Sequence, residues 1–329
     1  MTHAQIADLP SAPSTTSIKN LPINLFAAVM GISGLVLALR QASHQFGLSP
    51  MAAESTGVVA VVVFVILSLS YIIKAMRFPA VVRGEFTHPI AGNFFGTVTI
   101  AILLISSVVA PVSTLAAEVI WTIGALAALA LAFIIVSRLL QGKIDATHAL
   151  PVWLIPSVGT LDIPVTGGHM SMAWAHELNL FSMAVGMVLA LVFFTMITSR
   201  LIHQEKIAPP MLPSMMILMA PFPVGFLAYT HFTQHVDQFA GLLFYFGLFL
   251  FIVISVKLFK SRVPFIPGWW AISFPLAALV NAALEYATYA QTWPITLLAG
   301  ALLVFLSIVI IVLAVKTLQI LANGKLLSA

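Results

Sequence analysis

His231 and His235 stand four residues apart with Asp237 just beyond, a spacing that lets one helix face offer two imidazoles to a metal ion or a proton. His169 and His176 fall on the same side of the apolar pattern. Gly31-Ile32-Ser33-Gly34 has the form of a serine nucleophile set among small residues, which needs a histidine base within hydrogen-bond reach. Phe274-Pro275 sets a bulky ring beside a helix breaker inside an apolar run. There is no HExxH and no cysteine, so thiolate chemistry is excluded and the histidines read as interfacial, with no metal site assigned. All nine histidines fall in tails or near expected helix ends, away from Ser33, so the glycines read as close helix packing and no catalytic residue is assigned. Protonation of His169, His176, His231 and His235 would add positive charge to that side of the apolar pattern at low pH, which makes the four candidate pH sensors.

These residues must be positioned by membrane helices. The 329-residue chain is 61% hydrophobic and 7% charged, with a mean hydropathy of +1.09, values that belong to an integral membrane protein. A span needs about 20 apolar residues to cross roughly 30 Å of hydrocarbon. Ten segments fit: 21–40, 52–73, 89–111, 115–137, 149–167, 178–200, 211–231, 238–257, 267–289 and 294–320. Residues 1–20 are polar and rich in Ser, Thr and Pro, and read as a disordered tail; 21–320 is then the membrane domain and 321–329 a short second tail.

Basic residues favour cytoplasmic connections. With these cuts, all of the 14 Lys and Arg residues except Arg40 fall on one side, including Lys74, Arg138, Lys143, Arg200 and Arg262. Glu54, Glu118, Asp162, Glu177, Asp237 and Glu285 fall opposite. Both termini are therefore expected in the cytoplasm. The charge bias first reflects membrane insertion, and it also leaves a basic mouth facing an acidic one.

Odd-numbered spans begin near a proline (Pro22, Pro89, Pro151, Pro213, Pro267), at intervals of 54 to 67 residues, which predicts five copies of a helical hairpin. Interior prolines Pro156, Pro221, Pro223 and Pro275 also lie only on odd spans, where they are expected to kink the helices. Irregular backbone is tolerated in a membrane where protein or a water-filled path surrounds it. The expected fold is thus all-α, with an inner ring of five odd helices and an outer ring of five even ones.

For lining, the odd spans offer Asn24, Ser33, Asn93, Thr97, Ser157, Thr160, Ser214, Ser273 and Asn281. Asp162 and Glu285 lie toward outer ends and read as solvated, leaving no carboxylate near an expected midplane, where one would signal proton coupling. Hydroxyl and amide linings bind anions weakly, as conduction requires.

Taken together, "LPINLFAAVMG", "HPIAGNFF", "LLQGK", "ILMAPFPVGFLAY" and "WWAISFPLAALVNA" resemble, in order and spacing, the tellurite-resistance/dicarboxylate transporter family of bacterial tellurite-resistance proteins and plant guard-cell slow anion channels. The resemblance covers about 21–320. It implies ten helices in five hairpins, one pore per protomer, a homotrimer as in bacterial members, and passage of anions across the inner (plasma) membrane. It also implies that a phenylalanine of the ninth helix closes the pore, here Phe274, and that Phe26 and Phe94 narrow the same path. Family substrates include chloride, nitrate, malate, sulfite and tellurite, so a channel for chloride-class anions is expected, with a carrier of dicarboxylate, sulfite or tellurite oxyanions as the alternative. No enzymatic activity, cofactor or nucleic-acid partner is expected.

Overall fold

The computed structural model describes residues 16–142, 144–261 and 263–328, and every regular element among them is helical. The α-helices are α1 Phe26–Phe46, α2 Met51–Arg77, α3 Pro79–Thr87, α4 Phe95–Val109, α5 Thr114–Leu140 and α6 Leu154–Gly167. They continue as α7 Ala175–His203, α8 Pro221–Thr233, α9 Gln238–Lys260, α10 Ser273–Ala290 and α11 Trp293–Ala322. Nine helical stretches among the described residues are long and apolar enough to cross a membrane. The stretch from Pro151 to Gly167 joins a three-residue 3-10 turn to a 14-residue helix and is shorter than those nine. Nine-residue α3 fills a connection that reads as a loop in the sequence.

Burial separates the helices into two kinds. In the most apolar part of α1, α4, α8 and α10, each taken with the turn before it, 67–83% of residues are buried. In α2, α5, α7, α9 and α11 the share is 17–39%. Helix α6 is buried almost throughout. Each buried helix packs against the exposed one that follows it in sequence (α3 aside), and α1 packs against α10. The exposed faces are apolar, as lipid contact demands.

A 3-10 turn leads into every buried helix: Ile23–Leu25, Ala91–Phe94, Pro151–Trp153, Pro209–Met219 and Pro267–Ile272. This corrects the expected kinks. Pro221 opens α8, while Pro156, Pro223 and Pro275 are each the third residue of their α-helix. The first N–H groups of an α-helix have no partner within it, so a proline there removes no intrahelical bond. The proline inside an α-helix is Pro164, in α6.

Helix α6 ends among its neighbours, and side chains from three of them satisfy its last carbonyls. Trp121 of α5 donates to the Ile163 carbonyl (3.1 Å), His231 of α8 through Nδ1 to Val165 (2.7 Å), and Asn179 of α7 to Gly167 (2.9 Å). A helix this short is stable at depth because these donors replace water.

Two polar clusters fasten the ends. At the basic end, Lys74, fully buried, donates to the Leu21 carbonyl (2.7 Å) and to Glu85 (2.5 Å), which also accepts from Tyr71 (2.7 Å). At the acidic end, Arg40 of α1 makes a two-pronged pair with Glu54 of α2 (2.9 and 3.0 Å) and donates to the Ser107 and Val108 carbonyls of α4 (3.0 and 2.9 Å). Of the tail expected over 1–20, residues 1–15 lie outside those described, as do Lys143 and Arg262. Residues 18–20 form a 3-10 turn, and the Ser17 N–H and the Asn20 side chain bond the Leu327 carbonyl (3.0 and 3.1 Å), tying this segment to the C-terminal one.

Arg40→Ala leaves the Ser107 and Val108 carbonyls without their donors and should lower stability by about 1–3 kcal/mol. Glu54→Ala removes only a half-exposed partner, whose pairing is worth about 0–1 kcal/mol. Thermal unfolding of both variants in detergent should rank them in that order.

Candidate functional site

Two cavities lie in series between the buried helices, and Phe274 lines both. The one toward the basic end has a volume of about 30 Å³ and is walled from the five buried stretches alone, by residues that include Asn24, Thr97, Ile155, Ala220 and Ala271. In each stretch a lining residue lies within one position of the change from 3-10 to α-helix. The irregular backbone therefore surrounds the cavity, where it is shielded from lipid. The cavity toward the acidic end is larger, about 330 Å³, and adds the start of α5 to the same five helices.

Phe274 is the second residue of α10, 6% exposed. Its position follows from the contact beneath it: α1 and α10 meet over Gly31 and Gly34, where an added Cβ would strike the Ser273 hydroxyl and the Ala277 side chain. The Gly31-Ile32-Ser33-Gly34 cluster thus brings two backbones together. Ser273 is spent on that contact, its hydroxyl donating to the Trp270 carbonyl (2.7 Å) and lying 3.2 Å from that of Ala27. It is fully buried and lines neither cavity, contrary to expectation. Asn281 does line the acidic-end cavity, its amide donating to the carbonyls of Gly34 (2.9 Å) and Ala277 (2.8 Å).

Phe94 lines the basic-end cavity. Phe26 does not, which corrects its expected place on the path: it packs edge-on against Phe64 and Tyr71 of α2, 6.4 and 6.3 Å between ring centres. Of the other expected lining groups, Asn24 and Thr97 reach the cavity. The Ser157, Thr160 and Ser214 hydroxyls instead bond carbonyls three residues back in their own helices, at 2.7–2.8 Å, a local bond that Ser and Thr form readily.

The acidic-end cavity holds three carboxylates, Glu118, Asp162 and Glu285, with His169 and His231. The His231 and His169 ring centres are 6.3 Å apart, and His231 Nε2 is 3.4 Å from Glu285. His176 and His235 do not line the cavity; His176 stacks on Phe232 with centres 4.8 Å apart. Helix α8 stops at Thr233 because Gln234 turns left-handed (φ 55°), so His231 and His235 do not share a helix face as their spacing predicted. Asp237 caps α9, and the Ala240 N–H (3.0 Å) and the Tyr229 hydroxyl (2.7 Å) hold its carboxyl below the usual carboxylate range.

Asp162 is the group that sequence reasoning misplaced. It is 1% exposed, not solvated, and its Oδ2 has no hydrogen-bond partner among the described residues. The signal for it was the short span with Pro164 beside it, since a helix that ends below the surface keeps its last residues at depth. Among the described residues no lysine or arginine lines either cavity.

The family described as SLAC1, voltage-dependent anion channel, matches residues 20–318, and the chain belongs to it. An uncharacterized transporter of Methanocaldococcus jannaschii is 24% identical over 287 residues, 80% of this chain and 84% of that one. The tellurite resistance protein TehA homolog of Haemophilus influenzae is 27% identical over 272 residues, 81% of each. The guard cell S-type anion channel SLAC1 of Arabidopsis thaliana is 24% identical over 322 residues, 94% of this chain and 57% of that longer one. The chain is thus a multi-pass membrane protein of an anion channel and transporter family.

The two phenylalanines separate in their expected effects. Phe26→Ala removes a buried ring away from the cavities and should cost on the order of 3 kcal/mol of stability with anion flux per folded molecule unchanged. Phe94→Ala should change flux and leave the melting temperature nearer to that of the parent. Paired melting curves and liposome anion efflux check both.

Proposed function

We propose that this member of the voltage-dependent anion channel family conducts small anions of the chloride and nitrate class through a pore in each protomer, closed by Phe274. The observation that carries the reading is the single ring shared by two cavities in series. In this account Pro151–Gly167 is the tenth span, and the ten form five hairpins with the buried helices as an inner ring. The basic end and both termini face the cytoplasm of a cell whose inner (plasma) membrane holds the protein, and three copies assemble, as the family resemblance implies. The match to plant S-type anion channels and a TehA homolog supports anions as the permeating class.

The chemistry of the walls suits conduction. The Asn24 amide, the Thr97 hydroxyl and apolar side chains meet the anion at the constriction, so no fixed charge traps it. The cytoplasmic mouth gathers anions through its basic helix ends. At the outer cavity Glu118 and Glu285 oppose anions, and protonation of His169 and His231 offsets that field. The pH-sensing role is thus proposed for His169 and His231 of the four histidines.

One observation favours a second reading, a proton-linked carrier of larger oxyanions: a carboxyl buried at depth without a partner is what coupling to protons requires. Voltage clamp of the reconstituted protein separates the two. A channel should give steady anion currents that Phe274→Ala raises several-fold without loss of assembly; unchanged current from well-folded Phe274→Ala protein would remove the plug. A carrier should give small, saturable, proton-linked flux that Asp162→Asn uncouples from pH.

A further inference from the structure

The membrane-facing side carries a groove unrelated to the cavities. It runs between α5 and α7 toward their basic ends, has a volume of about 740 Å³, and is floored by Trp153 and Phe193. A second hollow of about 660 Å³ shares Val136, Leu140 and Leu189 with it, so the trough continues deeper along the same two helices. Its walls are aliphatic and aromatic apart from Thr195 and, toward the basic end, Ser199, Arg200, His203 and Gln204.

Arg200 and Gln204 carry buried polar atoms without a partner among the described residues. Arg200 Nε and Nη1 are buried and have no hydrogen-bond partner among the described residues, and Gln204 Oε1 is in the same condition. A guanidinium is always charged, so burying its N–H groups unpaired is strongly unfavourable. The place asks for an anion with acceptor oxygens for Arg200 and for a hydroxyl that can donate to Gln204. The trough asks for a hydrocarbon chain: from Leu189 to Arg200 it runs about 16 Å along α7 at 1.5 Å per residue, close to the roughly 15 Å of hydrocarbon in one leaflet.

We propose that the α5–α7 groove is a binding site for an anionic phospholipid with a hydroxyl-bearing headgroup, its phosphate on Arg200 and one acyl chain in the trough. The bidentate fork of arginine suits a phosphate diester, and the unpaired Gln204 oxygen selects a headgroup that donates. The site is independent of the anion path, since neither Arg200 nor Gln204 lines either cavity.

Native mass spectrometry of the whole chain, delipidated and titrated with phosphatidylglycerol, phosphatidylcholine or glycerol 3-phosphate, tests this. The parent should retain phosphatidylglycerol over phosphatidylcholine, and R200Q should lose that preference by about tenfold, the worth of a charge-assisted hydrogen bond. R200K should keep part of it, and Leu189→Trp, which fills the trough and leaves the guanidinium, should lower retention of both lipids. Equal retention of phosphatidylglycerol by the parent, R200Q and Leu189→Trp would overturn the site. Glycerol 3-phosphate competing as well as the lipid would assign Arg200 to a soluble phosphate instead. The chain has no cysteine, so Val188→Cys, lining the deeper hollow, reports directly on protein contact. Disulfide-linked dimers of that variant would make the trough an interface between copies and exclude the lipid.

Discussion

In hydrocarbon no water is present to bond a peptide group, so every departure from a regular helix must be satisfied by protein or hidden beside a cavity. The whole arrangement follows from that constraint. The exposed helices α2, α5, α7, α9 and α11 run from 23 to 30 residues without a break. The buried ones all change from 3-10 to α-helix within one position of a residue lining the basic-end cavity. Lipid thus dictates which helices are smooth, and the cavity is where the remaining irregularity is placed.

The same constraint positions the ring and the carboxyl. Phe274 falls one residue after the change in α10, and the contact of Gly31 and Gly34 with Ser273 and Ala277 fixes its height against α1. Asp162 falls where α6 stops short, among carbonyls that Trp121, His231 and Asn179 satisfy from three other helices. An apolar partition and an acidic chamber follow each other along one axis. Protons lower the chamber's field against anions, which makes pH a natural variable for flux in either reading of the function.

Much of this was legible in the sequence. Span ends fell close to the helices because apolar length and basic flanks report them directly, and alternating prolines marked the buried set. What failed was detail that periodicity does not encode. Pro156, Pro223 and Pro275 read as kinks because a missing N–H looks the same in a helix interior and in a first turn. Helix α3 was lost because nine amphipathic residues between basic ones look like a loop. Ser273 and Phe26 were put on the path because rotation about a helix axis is set by packing partners, here Gly31 for one and the α2 aromatics for the other. Asp162 was read as solvated because the depth of the acidic-end chamber appears only once α6 is seen to end below its neighbours.

In the proposed mechanism the Phe274 ring divides one path into two compartments that open to opposite sides. Because the chain lacks cysteine, single cysteines report this cleanly: Ala271→Cys in the basic-end cavity and Ala278→Cys in the acidic-end one. A charged, membrane-impermeant thiol reagent applied to sealed, oriented vesicles should modify Ala271→Cys only from the cytoplasmic side and Ala278→Cys only from the outside. With Phe274→Ala added, each should react from both sides. Modification of both from one side while Phe274 is intact, or no change when the ring is removed, would contradict the account.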